Sequence, residues 1–329
     1  MSKIDIIRKF DPVKQERKIL FFTVLAIAVY SVGTLFLDIK KLFQISAEFN
    51  WMLIIILLLL SFINYIFRSA RFFYFLKVIN TSVSFRQSLI IFLSTLSMTL
   101  TPGKTGEILK AYLLKKETGE RLFKFIPVLI LERFMDGIAM LILGCIGVYY
   151  FLGSVPVLFI FSIAPLLLLY LVFHYRKKIV KLVEKYEHKL PNIKVLDSLL
   201  IFFSNSEKLI TFKVITVSLI LSLFAWFFEA YALYLILSYF GFSGLKILAF
   251  SLFIFSFSSI AGFFVLIPGG VGVAEGSLLS FITVFLKTDT TIAGFATLLF
   301  RLITLWFGVI LGIIFFYNFV FNKLKNKTV

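Results

Sequence analysis

The chain has 329 residues, 60% of them hydrophobic and 43 of them phenylalanine, with a mean hydropathy of +1.01. A soluble core of this length cannot hide so much apolar surface, so a water-soluble fold is excluded and a membrane protein is expected. The formal net charge of +17 suggests nucleic acid only until its position along the chain is read, and the single cysteine, Cys145, excludes a disulfide framework.

The N-terminus is polar and charged through Lys18 and shows no small-residue cleavage site, so no removable signal peptide is expected. Apolar runs then predict full spans at about 19–37, 51–67, 125–151, 157–173, 214–240 and 290–320. Each is near the roughly 20 residues that cross a hydrocarbon core. Two further apolar segments, at about 87–116 and 247–286, are interrupted. Pro102-Gly103-Lys104-Thr105-Gly106-Glu107 breaks the first, and Pro268-Gly269-Gly270-Val271-Gly272-Val273-Ala274-Glu275 breaks the second. From Glu107 to Arg133 is 26 residues, and from Glu275 to Arg301 is also 26. Paired Gly/Pro interruptions in two halves of a membrane protein point to a transport site.

The basic residues give an orientation. If the broken segments enter and return on one side, 28 of the 34 Lys and Arg residues fall on one face. Only Lys40, Lys41, Lys246 and Lys287 fall on the other, and Arg133 and Arg301 lie inside spans. This asymmetry predicts a plasma-membrane protein with both termini cytoplasmic. The basic excess matches anionic lipid headgroups, and no nucleic-acid partner is expected. The return arms, Glu107 to Leu114 and Glu275 to Phe285, look too short to cross. The predicted fold is therefore an all-α polytopic membrane protein with about six full spans plus two re-entrant helical hairpins, eight membrane segments in an inverted repeat. The whole chain, 1–329, reads as one membrane domain. Repeat one covers about 51–151 and repeat two about 214–320, joined through a polar cytoplasmic linker at about 174–213. Within that linker, Arg176–Lys189 has the spacing of a basic amphipathic helix, ended by Pro191 and Asn192.

The candidate site follows from burial cost. Glu107, Glu132, Arg133, Asp136, Glu229, Glu275 and Arg301 all lie at membrane depth in this reading. Each isolated charge there costs about 2.5–3.5 kcal/mol, so these groups must pair or face an interior cavity. Arg133 and Asp136 stand i,i+3 and can pair, while Glu132 needs another partner. Gly103, Gly106, Gly269, Gly270 and Gly272 allow the chain to turn and a ligand to approach the backbone. The return helices begin near Gly106 and Gly272, and their free N–H groups favour an anion such as phosphate. Glu107 and Glu275 in the first turns are read either as caps or as site carboxylates. Lys104 adds positive charge at the first tip. Lys110 lies within i,i+3 reach of Glu107, where an ion pair and a phosphate contact are both open. Arg68 and Arg71 end a span on the basic side and read as snorkelling anchors, with headgroup contact as the alternative.

Other signals carry less. Gly103-Lys104-Thr105 is not a nucleotide-binding loop, because Met98 stands where that motif needs glycine. His174 and His188 lack metal-ligand company, so no metal or cofactor is expected. The phenylalanines read mostly as lipid-facing bulk, with Trp51 as an interfacial residue. No nucleophile constellation suggests an enzyme.

At its motifs the chain resembles the lysylphosphatidylglycerol synthase transmembrane family. Gly106-Glu107-Ile108-Leu109-Lys110-Ala111-Tyr112, Glu132-Arg133-Phe134-Met135-Asp136, and Pro268 through Gly276 are similar to its signature segments, and Phe300-Arg301 and Gly308 fit too. The resemblance implies a membrane region that flips aminoacylated phosphatidylglycerol, in two-domain synthases followed by a cytoplasmic aminoacyltransferase. Here the sequence stops nine residues after the last apolar run, so the expectation is a stand-alone member without the synthase activity. The expected function is a flippase-like transporter for a phosphate-containing lipid: a phospholipid, an aminoacyl-lipid or a polyprenyl-phosphate carrier. The alternative is an accessory subunit or enzyme of lipid-linked glycan or envelope synthesis.

Overall fold

The computed structural model describes residues 38–101, 105–152, 175, 178, 195–264 and 270–325. The predicted spans at 19–37 and 157–173, the helix at 176–189 with its stop at Pro191 and Asn192, and both histidines lie outside them. Among the described residues the regular structure is helical. The α-helices are α1 (Ile39–Glu48), α2 (Met52–Val78), α3 (Phe85–Leu96), α4 (Thr105–Thr118), α5 (Ile126–Leu152), α6 (Val195–Leu209), α7 (Phe212–Tyr239), α8 (Leu245–Phe264), α9 (Val273–Leu286), α10 (Thr290–Arg301) and α11 (Phe307–Lys325). A π turn, Leu302–Trp306, joins the last two. Among the described residues, four segments are long and apolar enough to cross a membrane: Met52–Val78, Phe212–Tyr239, Leu245–Gly262 and Thr290–Asn318. Helix α5 has the length of a span, 27 residues, and carries Glu132, Arg133 and Asp136.

Several boundaries differ from expectation. Helix α2 runs on to Val78 instead of stopping at residue 67, so Arg68 and Arg71 remain within it. The return arms α4 and α9 have 14 residues each, longer than expected, or about 21 Å at 1.5 Å per residue. The entering arm α3 is short, 12 residues, whereas α8 has 20. Two helices were not foreseen. Amphipathic α1 starts at an Asp38 cap and is tied to the start of α10 by the Lys41–Asp289 ion pair, 2.9 Å. The Lys41 contact holds the Asp289 carboxyl below its usual range, and both side chains stay well exposed. Helix α6 lies inside the stretch read as linker and buries Phe203 and Leu209 near α5.

The long-range packing is reciprocal. Helices α2 and α7 pack on each other, and two further seams form where α3 packs on α11 and α8 packs on α5. Both seams close on glycine. At Gly312 of α11 an added Cβ would lie 2.1 Å from the Ser97 backbone nitrogen, and at Gly147 of α5 it would lie 2.5 Å from the Ala249 carbonyl oxygen. Small residues of this kind let helix backbones approach where no hydrophobic drive exists between lipid-embedded surfaces. Some of the phenylalanines are interior rather than lipid-facing. Phe72, Phe75, Phe92, Phe125 and Phe250 are fully buried, filling the space between helices.

Gly312→Ala and Gly147→Ala should each destabilise the protein by about 1–3 kcal/mol, as overpacking does. Gly137→Ala on the same α5, with open space around its Cβ position, should leave stability within about 0.5 kcal/mol. Thermal denaturation in detergent checks all three.

Candidate functional site

Helices α2, α4, α5 and α7 bring one set of charges together. Arg71 of α2 has no exposed surface. Its Nη1 donates to Asp136 Oδ1 of α5 at 2.7 Å and to the Ser222 hydroxyl of α7, and its Nη2 stands 3.9 Å from Glu132. The Trp226 indole N–H donates to the same Asp136 oxygen at 3.0 Å. Arg133 reaches the other Asp136 oxygen at 3.4 Å while its side chain stays 31% exposed. Glu132 finds the partner its position demanded in Lys110 of α4, at 2.9 Å, with both side chains only 3% exposed. The Lys110 ammonium also sits 4.7 Å from the ring centres of both Phe72 and Phe92.

One expectation is corrected and one is met. Arg71 is not an interfacial anchor, because α2 continues past it and encloses it among carboxylates. The i,i+3 pair of Arg133 with Asp136 is present, and Asp136 has a shorter ion pair with Arg71 from another helix. Lys110 pairs with Glu132, a partner other than the Glu107 its spacing had suggested. Lone charges at this depth would be costly, and paired ones satisfy each other.

The second half holds a smaller arrangement. Arg301, at the end of α10, donates through Nε to Glu275 Oε1 at 2.6 Å. The Gly272 N–H donates to Glu275 Oε2, also at 2.6 Å. Glu275 is thus both a cap for α9 and an arginine partner, so the two readings of that residue hold together. Directly after Arg301 the helix widens into its π turn, a local irregularity common at functional sites. Gly308, one turn on, leaves room for Tyr65, whose hydroxyl donates to the Thr304 carbonyl at 2.6 Å. Gly270 has φ +65°, and a Cβ there would meet Gly262 of the entering arm at 3.3 Å. Its small size serves the close contact with Gly262. Gly272, with φ +91°, takes the conformation that starts α9.

Glu107 and Gly106 lie in the first turn of α4, and the Glu107 side chain lies outside the described residues, as do Gly103, Lys104 and Gly269. Two further charged residues, both named in the sequence analysis, stand near these pairs. Arg68 of α2 lies with its guanidinium carbon 4.7 Å from the Trp226 ring centre and 5.4 Å from that of Phe92. Its Nε is sealed from solvent without a hydrogen-bond partner. Glu229 of α7 interacts through space with Arg68 and Arg301, with no ion pair to either among the described residues. Glu229 was singled out in the sequence. Arg68 was read as a span-end anchor, with headgroup contact as the alternative, because a basic residue after an apolar run looks like a span end.

A family model, the lysylphosphatidylglycerol synthase TM region, matches the chain over residues 23–312. The chain belongs to that family. It is also 31% identical over 234 residues to the UPF0104 membrane protein MJ1078 of Methanocaldococcus jannaschii. That alignment covers 69% of this chain and 95% of the relative. As a member of the lysylphosphatidylglycerol synthase TM region family with four apolar helices of spanning length, this is a multi-pass membrane protein.

Arg71→Ala should cost about 3–5 kcal/mol, the penalty for stranding buried carboxylates. Arg71→Ala/Asp136→Ala should cost clearly less than the sum of the two single changes, because the stranded charge is then gone. Denaturant titration in detergent micelles reads the cycle, and additive losses would show that the two groups do not depend on each other.

Proposed function

We propose that this protein is a flippase-like transporter, not an enzyme, that moves a phosphate-containing lipid across the cytoplasmic membrane. The observation that carries this reading is the Glu275 site. A carboxylate sits at a helix N-terminus inside an apolar bundle, held by a backbone N–H and an arginine at once. A phosphate oxygen has the same needs, and N–H groups of a helix start together with a guanidinium fork meet them. The lipid phosphate would displace Glu275 from Arg301 during passage, while its acyl chains stay in the bilayer. Gly103, Lys104, Gly106, Glu107 and Gly269 would form the matching tip in the other half, with Arg133 and Asp136 beside it.

The same reading places both termini in the cytoplasm and gives six full spans and two re-entrant hairpins. Support comes from the 28-to-4 division of basic residues between faces. It also comes from α3, α4 and α9, each shorter than the roughly 20 residues of a crossing. The reciprocal packing of α3 on α11 and α8 on α5 suits an inverted repeat whose halves rock against each other around a central site. Family membership favours a lipid role over a water-soluble cargo.

Purified protein in proteoliposomes should move labelled phospholipid or polyprenyl phosphate faster than protein-free vesicles do. Arg301→Ala should reduce that rate by at least about tenfold, the loss of one charge-assisted contact, while the variant remains monodisperse. Equal rates with and without protein, for neutral, anionic and polyprenyl lipids alike, would replace this reading with the accessory-subunit one.

A further inference from the structure

Four of the five described cations at the centre have a carboxylate partner: Arg71 and Arg133 on Asp136, Lys110 on Glu132, and Arg301 on Glu275. Arg68 has none among the described residues, and of the four described carboxylates Glu229 is the one without an ion pair. Arg68 interacts through space with Asp136 first and with Glu229 after it, and forms an ion pair with neither. A bundle that pairs its other charges so closely leaves here one positive and one negative end, separated from each other.

Their setting is ordered. Tyr65 and Arg68 stand i,i+3 on α2, and Trp226 and Glu229 stand i,i+3 on α7, so each pair shares a helix face. These two helices pack on each other. The crossing is fixed by Asn64, whose amide nitrogen donates to the Ala225 carbonyl at 2.8 Å. Trp226 is held by its indole N–H bond to Asp136, so its face is a fixed platform for the Arg68 guanidinium. Tyr65, tied to the π turn at Thr304, is coupled electrostatically to both Arg68 and Glu229. Stacking on an aromatic face leaves the edge of a guanidinium, with its N–H donors, free to bind an oxyanion. A carboxylate accepts hydrogen bonds only, so Glu229 calls for a donor of opposite charge.

We propose that Arg68 and Glu229 form a receptor for a zwitterionic lipid headgroup, a phosphodiester received by Arg68 on Trp226 and a primary ammonium received by Glu229. Such a headgroup offers each of the two ends an opposite charge, while every other described carboxylate of the centre already holds a cation. An anionic headgroup would leave Glu229 facing a like charge. A quaternary ammonium would give Glu229 no N–H to accept from. This inference deepens the proposed transport function by naming the headgroup class, and it rests on that reading only for the step of crossing, not for binding.

The test is the emission of Trp226 in a Trp51→Phe/Trp306→Phe background, which removes the other two tryptophans. Detergent-solubilised protein is titrated with short-chain phosphatidylethanolamine, phosphatidylglycerol and phosphatidylcholine. Phosphatidylethanolamine should give a saturable change at concentrations at least about tenfold lower than the other two, as one charge-assisted hydrogen bond supplies. Glu229→Gln should remove that preference and leave phosphatidylglycerol binding unchanged or stronger. Arg68→Gln should weaken all three lipids, and Arg68→Lys, which keeps the charge and serves as the folding control, should retain the preference at reduced affinity. Equal binding of phosphatidylethanolamine and phosphatidylglycerol, or a preference that survives Glu229→Gln, overturns the proposal. Selective binding without transport in vesicles would instead count against the flippase reading and leave the receptor standing.

Discussion

The hydrocarbon interior offers a charged side chain no water, and the arrangement of this protein follows from how that constraint is met at Asp136. One carboxylate takes Arg71 from α2, the Trp226 indole from α7 and Arg133 from its own helix. It therefore fixes the positions of three long helices relative to one another. Through Glu132 the same helix α5 also takes Lys110 and with it the return arm α4. Buried ion pairs of this kind need not add net stability over apolar packing, but breaking one strands its partner. Their effect is to permit one arrangement of helices and penalise the others.

The later broken segment also carries an arginine, and there, among the described residues, Glu275 pairs with Arg301. The reciprocal seams of α3 with α11 and α8 with α5 depend on Gly312 and Gly147 at points where no side chain fits. The π turn next to Arg301 and the contact of Gly270 with Gly262 lie in the same part of the chain as that pair.

The sequence made local relations visible and left distant ones hidden. The 26-residue spacing from Glu275 to Arg301 led to a real ion pair, because a short helix and a tight turn carry the chain back to the same depth. Glu132 was seen to need a partner, and burial cost alone said so. That the partner was Lys110 could not be read, since it depends on how α4 docks on α5. Arg68 and Arg71 were misread as anchors for a physical reason: hydropathy ends a span at its first charges, whereas a helix with internal counter-charges continues. The buried phenylalanines show the same limit. Aromatic bulk that suits lipid also suits a helix interface, and composition does not distinguish them. Helices α1 and α6 were missed because their apolar faces are narrow and belong to surface elements.

The lipid that leaves the membrane with the protein tests the central claim, that the paired charges frame a site for a phosphate headgroup, most directly. Protein purified in mild detergent would be analysed by native mass spectrometry, with the bulk membrane extract as reference. The account predicts bound phospholipid enriched in headgroups carrying a primary amine, with the enrichment lost in Arg68→Gln. A bound-lipid composition indistinguishable from the bulk membrane, and unchanged in that variant, would contradict it.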